Sequence, residues 1–331
     1  YRVCTNDLVW GVCEGAKGPV PEICDGLDND CDGSTGDYFV SVDADDGKTC
    51  AIDNAGRVVC WGSDNNNGVS EASSVSGVSQ ISVGSYINAG LDDDGYLTWW
   101  GTAMSEAPYP ESDGPFIQVS VGNSRQRSTG TYGIACAVDI ENRVACWGEQ
   151  WGDPDSDVWA GGVINGTNHL TEGENRDFAM VDVGFRNTCG IRLNGRIHCW
   201  GGSDAEVNAA RFYAQKPTAA QFRELSVGAL YACAIDEEGA ITCWGDGFDY
   251  DQSDKPTSGN FTQIAAGNNH TCALDDQGNI ACWGDNSSGQ RNVPQGQFTQ
   301  LTSGSHHSCA IDIDGRVVCW GLNDYGQTDT P

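Results

Sequence analysis

The sequence predicts an all-β fold, a seven-bladed β-propeller over residues 38–331, preceded by a short cysteine- and aspartate-rich segment at 1–37. Three observations carry this prediction. Twelve of the sixteen cysteines form six Cys-x9-Cys pairs, each followed at once by Trp-Gly. A seventh copy keeps the same frame without thiols, and the whole unit recurs about every 38 residues. Periods of that length mark stacked supersecondary units rather than one irregular globule.

The pairs are Cys50 with Cys60, Cys136 with Cys146, Cys189 with Cys199, Cys233 with Cys243, Cys272 with Cys282 and Cys309 with Cys319. They lead into Trp61, Trp147, Trp200, Trp244, Trp283 and Trp320. In the seventh copy Ala89 and Trp99 stand at the two cysteine positions, before Trp100-Gly101. Joint loss of both thiols is what paired thiols predict. Eleven residues before the first cysteine position stands Phe39, Phe178, Phe222, Phe261 or Phe298, with Val78 in the second copy. Phe116 leads the third copy, which carries an insertion. Successive spacings at this position are 39, 38, 62, 44, 39 and 37 residues. An aliphatic residue follows at the third place and a glycine at the sixth, with Asp45 as the exception to the glycine.

Between paired cysteines the pattern is that of a hairpin. In residues 50–60 apolar residues flank a turn-rich centre, and Gly56 stands where a three-residue loop needs positive φ. Gly95, Gly195, Gly239, Gly278 and Gly315 hold the same place, and Asn142, the next most tolerant type, holds it in the third copy. That loop sets each first cysteine opposite its second, close enough for a bridge. Each unit then supplies three to four short strands. Seven such sheets close radially and leave only short edges. An open β-solenoid is the competing arrangement and calls for capping ends. The last repeat instead stops at Thr330-Pro331, just short of another Phe strand, as expected where a ring closes beside Phe39.

Segments such as 266–290, which runs from Ala266-Gly-Asn-Asn-His-Thr-Cys through Cys282-Trp-Gly to Gln290, resemble the repeats of the RCC1-like propeller superfamily. The resemblance covers residues 39–331 and implies the seven-bladed fold. It does not transfer a function, because that superfamily includes nucleotide-exchange factors, photoreceptors, protein inhibitors of β-lactamase and secreted proteins without assigned roles. The regular cysteine pairing departs from most of the family and is similar to its bacterial secreted branch.

Composition narrows the setting. Sixteen cysteines, all assignable to pairs, argue for an oxidising compartment. Cys-x9-Cys across a hairpin lacks the knuckle geometry of a zinc site. No apolar run approaches the length of a membrane span, and the chain reads as a processed, exported protein. The net charge is −30, with 47 acidic against 17 basic residues. Such a surface repels phosphates, so nucleic acid is excluded as a partner. Many aspartates have a structural task in the hairpin turns: Asp53, Asp139, Asp236, Asp275 and Asp312.

Residues 1–37 lie outside the repeat and hold Cys4, Cys13, Cys24 and Cys31. Asp28, Asp30 and Asp32 alternate and Gly33 follows, the opening of a calcium loop in which alternate oxygens converge. Phe39 occupies the twelfth place, where a bidentate Glu is expected, so Asp37 and Asp25 are the available substitutes. The stretch from Cys24-Asp-Gly-Leu-Asp to Asp37, with Cys4, Trp10-Gly11, Cys13 and Pro21-Glu22 upstream, resembles the MopE-type metal-binding motif and, more loosely, thrombospondin type-3 repeats. The resemblance implies structural calcium held by Asp28, Asp30, Asp32 and Asp37. It also implies a Cys24–Cys31 clip and a Cys4–Cys13 bridge. A second acidic cluster, 43–47, admits two readings, another cation site or an acidic turn.

Catalytic signatures are sparse. There is no unpaired cysteine, no Gly-x-Ser-x-Gly elbow, no His-Glu-x-x-His and no phosphate loop. His270 and His307 share one repeat slot with Lys48, Asn187 and Tyr231, a variability that fits a structural rather than catalytic position. The repeat is broken in two places. The third copy gains nine residues between Gly122 and Cys136, including Arg125, Arg127 and Tyr132. The span from Trp147 to Phe178 runs 31 residues, against 15 to 22 elsewhere, and holds Trp151 and Trp159. Aromatics on loops mounted on a rigid scaffold are typical of recognition surfaces; the plain alternative is that they fold the loop onto blades 3 and 4.

The expectation is therefore a secreted or cell-surface, non-enzymatic binding or scaffold protein. Its partner would be an extracellular protein or glycan, in isolation or within a larger surface assembly. Two alternatives stand beside it: a polysaccharide-acting hydrolase or lyase with carboxylates or histidines gathered at the axis, and an inhibitor of a secreted enzyme.

Overall fold

The computed structural model describes residues 38–64, 68–101, 114–122, 134–148, 163–164, 167–168, 175–185, 187–201, 212, 215–218, 220–245 and 254–331. The segment 1–37 and the insertion 123–133 lie outside them, as does the enlargement between blades 3 and 4 apart from 163–164, 167–168 and 175–177. The expected calcium ligands Asp25, Asp28, Asp30, Asp32 and Asp37 therefore fall on residues not described, as do Cys4, Cys13, Cys24 and Cys31. The same holds for the loop residues Arg125, Arg127, Tyr132, Trp151 and Trp159.

Seven three-stranded antiparallel sheets form the blades. Blade 1 is Phe39–Asp45, Lys48–Asp53 and Val58–Gly62, and blade 2 is Val78–Val83, Asn88–Asp92 and Leu97–Trp100. Blade 3 comprises Phe116–Gly122, Ile134–Asp139 and Val144–Gly148; blade 4 comprises Phe178–Val183, Asn187–Arg192 and Ile197–Gly201. Blade 5 holds Phe222–Val227, Tyr231–Asp236 and Ile241–Gly245; blade 6 holds Phe261–Ala266, His270–Asp275 and Ile280–Gly284. Phe298–Ser303, His307–Asp312 and Val317–Gly321 complete blade 7. A two-stranded pair, Val163–Ile164 with Thr167–Asn168, lies between blades 3 and 4 in the chain.

Each repeat cysteine pair is directly opposite in register on the second and third strands of its blade. All six pairs are bonded as the spacing predicts. Cys50 is joined to Cys60, Cys136 to Cys146 and Cys189 to Cys199. Cys233 is joined to Cys243, Cys272 to Cys282 and Cys309 to Cys319. The two members of a pair differ in setting. Cys50, Cys136, Cys189, Cys233, Cys272 and Cys309, on the middle strands, are wholly buried, whereas on the outer strands Cys146 is buried and Cys60, Cys199, Cys243, Cys282 and Cys319 are half-buried. The outer strand has a neighbour on one side only, so its cysteine keeps some solvent contact.

In blade 2 the same register couples Ala89 to Trp99. There Trp99 packs against the apolar cluster between blades 2 and 3 and meets Trp147 of blade 3 edge-on, centroids 6.1 Å apart. The hairpin loops follow the sequence expectation, with positive φ at Gly56, Gly95, Asn142, Gly195, Gly239, Gly278 and Gly315. In those turns the aspartate accepts backbone N–H groups two and four residues on, as Asp53 does from Ala55 and Arg57.

The core is seven separate apolar clusters, one at each blade junction. The junction of blades 1 and 2 joins the disulfide face of Cys50, Ile52 and Val58 to Val78, Ile81 and Trp100. Blades 7 and 1 meet in the same way, with Cys309, Ile311 and Val317 against Phe39, Val42 and Trp61. Each first strand is also tied to the preceding blade's hairpin, and Phe39 N–H donates to Gly315 O at 2.8 Å as Phe222 N–H does to Gly195 O. The ring is thus closed by the bonding used at every other junction. A sheet too small to bury its own faces gains a partner on both sides.

Candidate functional site

The polar side of the first strands faces the propeller axis and builds two rings of side chains. Counted from the Phe position, the second place holds Ser41, Gln80, Gln118, Met180, Glu224, Gln263 and Gln300. The fourth holds Asp43, Ser82, Ser120, Asp182, Ser226, Ala265 and Thr302. A ring member reaches across to the next blade and accepts a main-chain N–H there. Gln80 accepts from Val119, Gln118 from Val181, Gln263 from Leu301 and Gln300 from Val42, at 2.8–3.1 Å. In the other ring Asp43 Oδ2 accepts from Val83, Ser82 from Val121, Ser120 from Val183, Asp182 Oδ2 from Val227 and Ser226 from Ala266. The first strands of neighbouring blades do not pair as a sheet, so side chains satisfy main-chain donors that a ladder would otherwise take.

These rings enclose an axial cavity of about 330 Å³. Its described lining contains Asp43, Asp45, Asp182 and Glu224 and no Lys, Arg or His. Asp43 and Asp182 are fully engaged. Asp43 Oδ1 accepts from Thr302 Oγ1 at 2.8 Å, and Asp182 Oδ1 from Ser120 Oγ at 2.9 Å, in addition to the main-chain bonds above. Asp45 Oδ1 accepts the Asp46 N–H. Glu224 receives no hydrogen bond from the described residues, although it stands in the ring position that Gln fills in four blades. Burial pushes its carboxyl up to about 7, and the nearby Asp182 charge adds to the rise against the opposing Arg223 guanidinium. Burial likewise raises Asp43 to about 6, opposed by the Val83 N–H and the Thr302 hydroxyl. Asp182 is raised for the same first reason.

Two features mark one end of this cavity. Gly122, Gly184, Gly228, Gly267 and Gly304 line it there, where backbones come close. A Cβ at Gly184 would lie 2.5 Å from Gly228 O, and one at Gly228 would lie 2.6 Å from Gly267 O. Over these glycines pack the residues two before the first cysteine: Tyr231 over Gly228, His270 over Gly267, His307 over Gly304. That is the task of the histidine slot. His307 Nε2 meets Thr49 Oγ1 of blade 1 at 2.8 Å, and His270 Nε2 meets Ser308 Oγ of blade 7 at 2.9 Å. Tyr231 OH accepts from Thr271 Oγ1 at 2.9 Å. Both imidazoles are wholly buried, and burial, followed by neighbouring histidines, lowers His270 to about 4 and His307 to about 3. They are neutral inter-blade pegs.

The second feature is where the loops arise. In blade 3 Gly122 pairs with Ile134, and Ile134 pairs with Gly148. The segment 123–133, with Arg125, Arg127 and Tyr132, and the segment beginning at 149, with Trp151 and Trp159, therefore leave from one edge of one blade. Gly122 also lines the cavity, so this edge borders that end. In the acidic cluster of blade 1 Asp43 and Asp45 both line the cavity, Asp45 Oδ1 accepts the Asp46 N–H, and among the described residues no three His, Cys, Asp or Glu side chains gather around a point. Sequence reasoning passed over the axial rings. Their signal was nevertheless present, as Gln at one inward place in four copies and Ser, Thr or Asp at another.

Comparison with known proteins agrees with this architecture. The model for the regulator of chromosome condensation (RCC1) repeat matches residues 261–290 and 298–327, the sixth and seventh repeats. No curated protein matches the sequence. Among solved structures, the chain is similar to the ectodomain of the Physcomitrella patens receptor kinase CR4, with TM-score 0.65 and 22% identity over 86% of this chain and 73% of that one. It is also similar to the CRINKLY WD40 ectodomain of the Arabidopsis thaliana receptor kinase ACR4, with TM-score 0.63 and 18% identity over 89% and 99% of the two chains. Yeast RCC1 (Prp20), solved bound to Kap60, gives TM-score 0.51 and 14% identity over 87% and 70%. Together these show an all-β propeller whose sixth and seventh blades match the RCC1 repeat; at such identities the likeness to the solved structures concerns the fold alone.

Proposed function

We propose that this is a secreted or cell-surface, non-enzymatic binding propeller that recognises an extracellular protein or glycan through the loops of blades 3 and 4. The observation that carries the reading is the common root of the two enlarged loops at Gly122, Ile134 and Gly148, beside one end of the axial cavity. A stapled ring holds that edge rigid, and loops mounted on such a scaffold bind with less ordering loss. Six buried or half-buried disulfides support an oxidising compartment. The extracellular setting named for the two plant ectodomains accords with that reading. No helix among the described residues is long and apolar enough to cross a membrane. On this reading the segment 1–37 is a calcium-stabilised, disulfide-clipped module of MopE type, and the protein is one element of a bacterial surface or filament assembly.

The hydrolase alternative gains axial carboxylates from the structure, and glycoside hydrolysis needs two carboxyl groups free to act across one bond. Among the described residues Asp43 and Asp182 each commit both oxygens to holding neighbouring blades, and Asp45 Oδ1 accepts the Asp46 N–H, which weighs against this alternative. Inhibition of a secreted enzyme would use the same face and differs only in the partner. A glycan array with a pull-down, run with and without calcium, tests the proposal. The Trp151→Ala/Trp159→Ala double variant should lose whatever binding the parent shows, and unchanged affinity would reject this surface.

A further inference from the structure

Among the described residues the axial cavity presents an acidic wall lined by no Lys, Arg or His, and the Arg223 guanidinium that opposes Glu224 already donates to the Asp236 and Phe261 carbonyls. We propose that it is a receptor for an organic cation, a primary ammonium or guanidinium group. The shape of the site argues for a ligand beyond mere solvation. Its volume of about 330 Å³ falls at the low end of the roughly 300–1,000 Å³ of small-molecule sites. Its polar groups are held by inter-blade bonds that fix them before any ligand arrives, so little ordering is needed on binding. Glu224 is the telling residue. Each Gln80, Gln118, Gln263 and Gln300 in its ring is spent on a main-chain N–H of the next blade, whereas no described residue hydrogen-bonds Glu224. It is an acceptor-only group, aimed at the cavity and backed by Asp182, and a donor cation supplies what it lacks.

The chemistry also sets aside a compact metal ion. A metal needs several oxygens converging at roughly 2.0–2.6 Å, and no such group of acidic side chains exists among the described residues. An ammonium or guanidinium instead uses directional N–H donors and tolerates acceptors spread around a wall. It also suits the mixture of one free carboxylate with Ser41, Gln and hydroxyl groups around the rings. A free polyamine and a Lys or Arg side chain of a docked protein share this chemistry.

Calorimetric titration of the full chain at pH 7.5 and about physiological salt, with spermidine and with N-acetyl-lysine methylamide, separates the two sources. The proposal expects saturable 1:1 binding of at least one probe. Preference for spermidine marks a free polyamine, and preference for the lysine derivative marks a side chain from a partner. Glu224→Gln should weaken the preferred probe by about ten-fold or more, the usual consequence of losing a charge-assisted bond. Gln is native to this ring position in four blades, so the variant keeps the fold, and an unchanged circular dichroism spectrum verifies that. The exposed Asp314→Asn variant should bind as the parent does. Equal affinity in Glu224→Gln and the parent, equal loss in Asp314→Asn, or no saturable binding of either probe would overturn the proposal. Because Trp151 and Trp159 play no part in it, their double substitution tests the loop-face reading separately.

Discussion

Replacing Glu224 by Gln should stabilise the propeller at high pH and leave it unchanged at low pH. The group titrates near 4.5 when free and near 7 in the fold, chiefly through burial. A carboxyl whose folded value is raised favours the fold only while protonated. Its contribution is complete below pH 4.5, declines between 4.5 and 7, and is gone above 7. The raised value corresponds to about 3 kcal/mol at 1.36 kcal/mol per pH unit. Because Glu224 is half-buried and the cavity admits solvent, about 1–3 kcal/mol is the expected gain. Asp182, Asp43 and Arg223 face or flank the same site and remain in both proteins, so the difference between variant and parent isolates Glu224. Guanidinium unfolding under oxidising conditions at pH 4.5, 6, 7 and 8 measures it. The gap should be near zero at pH 4.5 and open to its full value by pH 8. A pH-independent gap, or a parent more stable than the variant at pH 8, would refute the electrostatic reading of the axis. Added spermidine should narrow the gap at pH 8 if the cavity takes organic cations.

Five further outcomes are expected, four from the described structure and the last from the sequence of residues 1–37. The buried, neutral His270 and His307 stabilise the fold above pH 6.5, and that stabilisation drains away as pH falls toward about 4 and about 3; a His270→Asn/His307→Asn variant should show a flatter loss of stability between pH 7 and 4.5, and an equally steep loss would count against the pegs. Gly184→Ala forces a Cβ to within 2.5 Å of Gly228 O and should cost about 2–3 kcal/mol through overpacking, seen as a lower guanidinium midpoint. Removing one staple, as in Cys50→Ala/Cys60→Ala, should cost about 2–3 kcal/mol, while Trp99→Ala, which removes a side chain packed against the cluster between blades 2 and 3, should cost about 2–4 kcal/mol; both are read by the same unfolding curves. Chelation of calcium should increase protease cleavage within residues 1–37 and leave the ring intact, and unaltered cleavage there would reject the metal assignment.

Much of the fold was legible because the repeat repeats its physics. Cys50 and Cys60 announce opposed strand positions, and Gly56 announces the loop between them. Phe39 and Trp61 announce the apolar faces that a neighbour must cover. Seven copies of that arithmetic leave few architectures open. What the spacing did not reveal is the asymmetry within a staple: Cys199, Cys243 and Cys319 stay half-buried while their partners are sealed, because strand order within a blade decides which thiol faces a neighbour. The axial site was harder to read, since its members are scattered one per blade and differ in type. Glu224 and Asp182 lie 42 residues apart in the chain and come together only because the first strands of blades 4 and 5 pack side by side. His270 and His307 were correctly read as structural from the variety at their slot, but their contact with Gly267 and Gly304 depends on packing that no local pattern encodes. The acidic run 43–47 looked like one cluster because neighbours in sequence were counted together. In a strand, successive side chains point to opposite faces, so Asp43 and Asp45 share the axial face while Asp46 and Gly47 stand in the turn beyond the strand. The loop enlargements were visible as insertions; their shared root emerged only once register placed Gly122, Ile134 and Gly148 side by side.

Non-reducing peptide mapping by mass spectrometry, on protein recovered from its native source, bears most directly on the claim that an exported, oxidised and closed wheel displays the binding face. From the ring it should return six linked peptides, each joining cysteines ten positions apart within one hairpin, such as Cys136 to Cys146 and Cys309 to Cys319. Free thiols at Cys50, Cys136, Cys189, Cys233, Cys272 or Cys309, or bridges that run from one repeat to another, would contradict it.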